Sequence, residues 1–302
     1  MIHPLLDSAA ALLRDGRLVA FPTETVYGLG ANALDEAAVR RIFQAKGRPA
    51  TSPIIVHVSS PEMARSLASE WPPAADLLAG RHWPGPLTLV VPKQPSIPDA
   101  VTAGLPTVGL RMPAHPLALA LIEAAGCPIA APSANRFAQI SPTTAEHVRQ
   151  GLGDRVDLIL DGGSTPVGIE STVLALSPRP LLLRPGMISR EEIEALIGPV
   201  DTLTAGGEGA HPAPGLHARH YSPRTKLILV RDGAVPSSGR GLYLQAGANM
   251  PADPAGYAAA LYAALHRADA AGYDWIAVEE PPGLPSWAGI RDRLIRAAAP
   301  LP

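Results

Sequence analysis

Four short segments of this 302-residue chain gather hydroxyls, carboxylates and cations closely enough to do chemistry. The first is Pro22 to Gly30, PTETVYGLG, which offers Thr23, Glu24, Thr25 and the Tyr27 phenol. It reads equally as a ligand loop or as a strand-to-helix loop with caps. The second is Lys46-Gly47-Arg48-Pro49, followed by Ser52 and a run carrying His57. Arginine as a bidentate fork and lysine as a point charge suit phosphate oxygens at such a turn. The same two cations also suit a helix C-terminus. The third runs from Ala131 through Ser133, Asn135 and Arg136 to Ser141-Pro142-Thr143-Thr144. Ser141 or Thr143 can cap the helix that follows, whereas Ser133 and Asn135 have no such structural use. The fourth pairs Asp161-Gly162-Gly163 with Gly168-Ile169-Glu170-Ser171-Thr172. Its glycines allow a backbone to approach an anion, and a plain turn accounts for them equally well.

Several chemistries have no support. There is no GxxxxGK[ST] loop, no GxGxxG after the first strand, no GxSxG elbow and no HExxH pair. The single cysteine, Cys127, lies in apolar AAGCPIAAPS and reads as a buried thiol; alone it forms neither an intrachain disulfide nor a multi-cysteine zinc site. No metal site built from protein side chains is expected.

The framework for these segments follows from periodicity. Leu5, Leu6, Ala9, Leu12 and Leu13 predict a first helix, with Gly16 as its stop. Arg17–Phe21 predicts a strand, and Asp35 is placed to cap a helix through Ala45. Further strands are expected at Ile54–Val58, Leu87–Val91, Val108–Arg111, Ile129–Ala131, Leu158–Leu160, Ser171–Leu176 and Leu181–Arg184, with helices near 61–69, 73–81, 115–125, 143–151 and 189–197. Strands and helices interleave without strict alternation, so the fold class is α/β with a twisted mixed sheet and flanking helices. The chemistry-bearing segments then follow strands, where α/β proteins place ligands. Residues 201–223, rich in Gly, Ala, Pro and His and without apolar period, read as a linker. Beyond it, the order β, β, α, β, α predicts a small Rossmann-like domain over 224–302, after a first domain over 1–200.

Bulk properties agree with a folded two-domain protein. The chain is 47% hydrophobic, 17% charged and only 4% aromatic, so its core must rest on aliphatic residues. A net charge of -2 argues against a surface devoted to nucleic acid. The amino-terminal stretch does not read as a signal peptide, and no apolar run approaches the roughly 18–20 residues of a membrane span. A cytoplasmic location without membrane association is the expectation.

Taken together, PTETVYGLG, KGRP followed by PIIVHV, PTVGLRMP, APSAN, SPTTAEHV, DGG, GIESTV and LLRPG resemble the YrdC-like family in order and spacing. HARHYSP and the C-terminal unit resemble its long, two-domain threonylcarbamoyl-AMP synthase form. The resemblance implies a positively charged concave cavity. It also implies formation of L-threonylcarbamoyladenylate and pyrophosphate from L-threonine, bicarbonate and ATP. ATP would come with Mg²⁺ held through its phosphates, and no tightly bound organic cofactor is expected. A separate tRNA threonylcarbamoyl-transfer machinery would consume the product.

The family's functional positions fall on Lys46 and Arg48 for the phosphates. Ser52, Thr107, Ser133, Asn135, Ser141, Arg184 and Tyr221 match further ATP positions. Thr25, His57, Arg111, Ala131 and Ser171 match threonine positions, with Arg111 facing the carboxylate. No covalent nucleophile is expected. Ser52 replaces the usual Asn, Phe137-Ala138 replace a common Ser-Gly, and His217-Ala218 replace a Lys and an aromatic in the linker, which would act as a lid. The competing reading is an RNA-binding or ribosome-associated protein using the same cavity, and direct tRNA binding is left open.

Overall fold

The Asp35 carboxylate accepts hydrogen bonds from the Ala37 and Ala38 amides and starts a helix over Glu36–Lys46. Gly47, at φ 62°, ends it in the left-handed region and delivers Lys46 and Arg48 to one turn. The surroundings of that turn are seen in a computed structural model, which describes residues 3–203 and 219–300.

The larger sheet contains β1 (Val19–Pro22), β2 (Tyr27–Asn32), β3 (Val56–His57), β4 (Leu87–Pro92), β5 (Thr107–Arg111), β6 (Ile129–Ala130), β7 (Leu158–Ile159), β8 (Thr172–Ala175), β9 (Leu181–Arg184) and β10 (Asp201–Thr202). Their spatial order is β10-β9-β8-β4-β5-β3-β6-β2-β1-β7, with parallel and antiparallel neighbours mixed. Packed on it are α1 (Leu6–Arg14), α2 (Glu36–Lys46), α3 (Pro61–Leu67), α4 (Pro73–His82), α5 (Asp99–Thr102), α6 (Pro116–Ala125), α7 (Ala145–Leu152) and α8 (Arg190–Ile197). The smaller parallel sheet has the order β11-β13-β12, from β11 (Lys226–Val230), β12 (Gly241–Leu244) and β13 (Trp275–Glu279). It carries α9 (Pro254–Ala270) and α10 (Ala288–Ala298).

Strand alternation decides which face carries the site. Leu87, Leu89 and Val91 of β4 join the main core with α2 and α4, whereas Val90 joins a small opposite cluster with Ile55, Val173 and Leu183. At the far end of that opposite face, α1 and α6 pack on Val19, Phe21 and Ile129. The strand ends between these two clusters carry His57, Arg111, Ser171 and Arg184.

Most expected elements are present with shifted ends: β3 keeps only Val56–His57 of the expected Ile54–Val58, whereas β4 and β5 each run one residue further, to Pro92 and from Thr107. Three were not anticipated: β2, β10 and the short α5. The PTETVYGLG segment is a hairpin, because β1 pairs antiparallel with β2. The cap of α7 is Thr144, whose hydroxyl accepts from the His147 amide; Ser141 and Thr143 do not serve there.

The second domain docks backbone against backbone. A Cβ on Gly168 (φ +79°) would stand 2.3 Å from the Ala258 carbonyl oxygen of α9, and one on Gly289 of α10 would stand 2.8 Å from Gly186. Its core also takes in Val26, Ile140 and Ile169 from the first domain. No helix among the described residues is long and apolar enough to cross a membrane.

Candidate active site

The α2 turn and the Ser133–Asn135 loop are joined by one side chain. Lys46 Nζ donates to the Ser133 and Asn135 carbonyls, each at 2.5 Å. Burial, with Arg48 close by, holds its ammonium well below the usual lysine range. Arg48 donates to the Pro53 carbonyl at 2.9 Å, while its Nε has no hydrogen-bond partner. Burial lowers its pKa to about 10. Arg184, reaching in from β9, donates to the Ser171 carbonyl at 3.0 and 3.1 Å and to the Ser171 hydroxyl at 3.2 Å.

Arg111 completes the cationic set, with Nη2 2.6 Å from Glu24 Oε1 and Nε donating to the Gly85 carbonyl. Lys46, Arg48, Arg111 and Arg184 are 3%, 7%, 4% and 3% exposed. Such burial is costly unless opposite charge compensates it. The carboxylates that do so are Glu24, beside Arg111, and Glu170, which faces Lys46 and Arg184. Burial raises the Glu170 pKa, but Arg293 and Arg184 outweigh it and hold the carboxyl below the usual range.

The structure brings Thr25, Arg48, His57, Arg111, Ala131 and Ser133 to one cavity, with Ser171, Arg184 and Tyr221 on its other wall. Lys46, Ser52, Asn135 and Ser141 are not among the residues lining it. Ser52 takes part through its carbonyl, 3.5 Å from Arg48 Nη2, and Ser141 donates to Glu170 at 2.5 Å. Asn135 Nδ2 is bound to the Arg136 and Gln139 carbonyls, so its amide shapes the loop, and its buried Oδ1 has no partner. Thr107 lines a separate crevice with Thr88, Thr102 and Gly109. Burial, and then the neighbouring Arg111, drive the His57 pKa down to about 3 and keep the imidazole neutral. Glu24 and Glu170 belong to the quoted motifs, yet the sequence reading gave neither a site role.

The Asp161-Gly162-Gly163 turn is not part of the cavity. It is exposed and ties down the Tyr27 hydroxyl, which donates to the Gly163 carbonyl at 2.7 Å and accepts from the Gly162 amide. The plain-turn reading therefore holds there.

Tyr221, shortly before β11, lines the cavity. It is 1% exposed and sits at φ 61°, a strained conformation for a bulky residue. The Ser222 amide donates to the Ala138 carbonyl at 2.9 Å, and the Ser222 hydroxyl to the Ala297 carbonyl at 3.2 Å. The Phe137 edge meets the His220 ring at 5.9 Å. Ala138, standing where a glycine is common, keeps a left-handed φ of 64°. The Phe137-Ala138 departure thus preserves the turn that receives Ser222. His217 and Ala218 lie outside the described residues. The space enclosed among the cavity residues is about 50 Å³, well short of the roughly 300 Å³ at the small end of ligand pockets. A larger groove of about 480 Å³ lies beside Asn135, lined by Arg136, Arg224 and the stacked His147 and His266 rings.

A twisted sheet that buries Arg111 and Arg184 at its strand ends, with Lys46 and Arg48 at the adjoining α2 turn, defines an α/β protein with a cationic cavity withdrawn from bulk water. Residues 11–186 match the Sua5/YciO/YrdC family model, described as telomere recombination. The chain belongs to that family. Residues 188–299 match the model described as the threonylcarbamoyl-AMP synthase C-terminal domain.

The threonylcarbamoyl-AMP synthase of Pyrococcus abyssi is 53% identical over 226 residues, covering 74% of this chain and 66% of that protein. The one from Bacillus subtilis is 50% identical over 230 residues, covering 75% and 66%. These alignments thus span just under two thirds of the relatives' own length. The crystal structure of P. abyssi Sua5 complexed with L-threonine superposes with a TM-score of 0.91 at 41% identity, over 97% of this chain and 94% of that one. E. coli YciO matches 60% of this chain and 89% of its own, with a TM-score of 0.53 at 25% identity.

Proposed function

We propose that this protein forms L-threonylcarbamoyladenylate and pyrophosphate from L-threonine, bicarbonate and ATP, for threonylcarbamoyladenosine modification of tRNA. The observation that carries the reading is the buried cation cluster beside the Arg111–Glu24 pair. It offers a polyanion subsite and a carboxylate subsite in one dry cavity. The relatives' names and the threonine complex of P. abyssi Sua5 supply the substrate identities.

In this reading Lys46 and Arg48 take the phosphate oxygens and neutralise charge as pyrophosphate leaves. Arg184, Ser133 and Tyr221 border the same nucleotide, with Ser52, Asn135 and Ser141 shaping its loops and Thr107 contacting it from the neighbouring crevice. Arg111 exchanges Glu24 for the threonine carboxylate, and Thr25, His57, Ala131 and Ser171 surround the amino acid. The amine and bicarbonate give a carbamate with loss of water. A carbamate oxygen then attacks the α-phosphate and displaces pyrophosphate. No side chain forms a covalent intermediate; positioning and electrostatics lower the barrier.

Both cavity carboxylates are engaged by arginines, and no group of three His, Cys, Asp or Glu side chains among the described residues is placed to hold a metal. In this reading Mg²⁺ would come with the ATP phosphates and offset their charge. The remaining parts of the reading are a catalytic unit up to about residue 200, a linker acting as a lid, and a C-terminal unit from 224. Delivery of the product to a cytoplasmic tRNA-modifying machinery completes it. The burial of the cations weighs against an RNA-binding surface, which needs them exposed.

Mass spectrometry of products from ATP, bicarbonate and each amino acid tests the proposal. A threonine-dependent AMP adduct is expected. ATP consumption with no amino-acid dependence would overturn it.

A further inference from the structure

Arg293, on α10 of the second domain, is 0% exposed and is among the largest fully buried side chains. Its Nε lies 2.8 Å from Glu170 Oε2, and Nη2 donates to the Glu170 carbonyl at 3.1 Å. Nη1 donates to the Pro185 carbonyl and to Asp292, each at 2.8 Å. Tyr262, on α9, donates to the same Glu170 oxygen at 3.0 Å. The second domain thus sends two side chains across the seam to one carboxylate. Both also touch Tyr221: the guanidinium lies 5.2 Å from its ring centroid, and the Tyr262 ring stacks on it at 6.0 Å and 27°.

A buried ion pair is weak evidence for stability, because desolvation offsets most of the attraction. The location of this one is more informative. Glu170 and Tyr221 line the cavity with Arg48 and Arg184, and the other Glu170 oxygen receives the Ser141 hydroxyl. Without Arg293, Glu170 would remain as an uncompensated acid facing Arg184 and Lys46. It would draw those cations towards itself and away from an incoming anion. Tyr221, held at a strained backbone angle, would lose the cation on its face and the ring behind it.

We infer that Arg293 and Tyr262 are positioning residues, through which the C-terminal domain fixes Glu170 and Tyr221 and so forms the back wall of the polyanion subsite. The inference rests on reading that subsite as the ATP site. It gives the second domain a role in the geometry of the cavity beyond closing it.

The test uses full-length protein. Tyr262→Phe removes one hydroxyl donor to a charged acceptor. Glu170→Gln combined with Arg293→Met removes both charges at similar volume, which avoids the unpaired charge that Arg293→Ala would leave. ATP affinity by calorimetry, the KM values for ATP and threonine, and Tm are measured on each. The expected result is ATP affinity weakened about tenfold or more in both proteins, the scale of a lost hydrogen bond to a charged group. Threonine KM is expected to stay within about twofold, with Tm lowered by only a few degrees for Tyr262→Phe, the scale of one lost internal hydrogen bond. Unchanged ATP affinity in Tyr262→Phe would overturn the inference, whatever the double variant does. So would equal losses for ATP and threonine, which mark a general structural role. Parent protein that binds ATP but yields no threonine adduct would instead sink the functional reading, and the calorimetric comparison would still judge the positioning role.

Discussion

The carboxyl ends of the two sheets treat charge in opposite ways. In the large sheet Arg111 and Arg184 end strands at 4% and 3% exposure, and Lys46 and Arg48 join them from the α2 turn. In the small sheet Arg231, just past β11, is 79% exposed in its side chain and pairs with Glu280, while Tyr243 meets Glu279. Both sheets offer the strand-end location that α/β proteins use for ligands. Only the large sheet withdraws its cations from water and roofs them. A strand end becomes a candidate site when its charges are buried beyond what their own partners repay. Charges paired in solvent need no ligand.

The comparison can be broken at its strongest point first. Lys46→Ala or Arg48→Ala is expected to lower adenylate formation by about a thousandfold, since each removes fixed charge from the proposed site of adenylyl transfer. Pyrophosphate release measures this, with circular dichroism to verify the fold; near-parent rates in both proteins would refute the assignment. Next, Arg111→Ala should destabilise the protein by about 3–5 kcal/mol by stranding Glu24. Adding Glu24→Gln should restore stability without restoring threonine affinity. Urea melts and threonine titrations separate the two effects, and recovery of both together would make the pair purely structural.

A third test uses pH. His57 has a folded pKa of about 3 against an ordinary 6.5. The unfolded chain therefore binds the extra proton across that window. Stability is complete above about pH 6.5 and falls as pH drops towards 3, by up to about 1.4 kcal/mol per unit. Burial and the neighbouring His266 lower His147 in the same direction, to about 4. Urea unfolding from pH 7.5 to 4.5 checks the slope, which His57→Gln should make shallower; an unaltered slope in that variant would dismiss His57 as its source. The smallest effect is expected at the other sheet. Arg231→Ala and Tyr243→Phe should leave turnover and Tm unchanged, and a loss of turnover in either would erase the contrast.

The sequence made the long amphipathic elements legible, and α2 with its Asp35 cap and Gly47 stop shows why. Cap, period and terminator agree locally within its own residues. β2 was hidden because its glycines mimic a loop. They are needed where the sheet is tightest, since a Cβ on Gly30 would stand 2.8 Å from both Phe21 and Ile129. The cations and hydroxyls of the cavity were visible because KGR, SAN and HYSP carry them on short loops. Glu24 and Glu170 were not singled out, since what makes them matter lies far along the chain. The Glu170 partner Arg293 is 123 positions away, on a helix whose pattern reads as ordinary packing. Tertiary pairing of that range leaves no trace in local spacing.

The seam between the domains has a mechanical consequence. At Gly168 against Ala258, and Gly186 against Gly289, backbone meets backbone with no side chain between them to shear or repack. Such a joint resists sliding and transmits displacement like a rigid weld. Tyr221 stacks on Tyr262 of α9, so its strained backbone at φ 61° is referenced to that same joint.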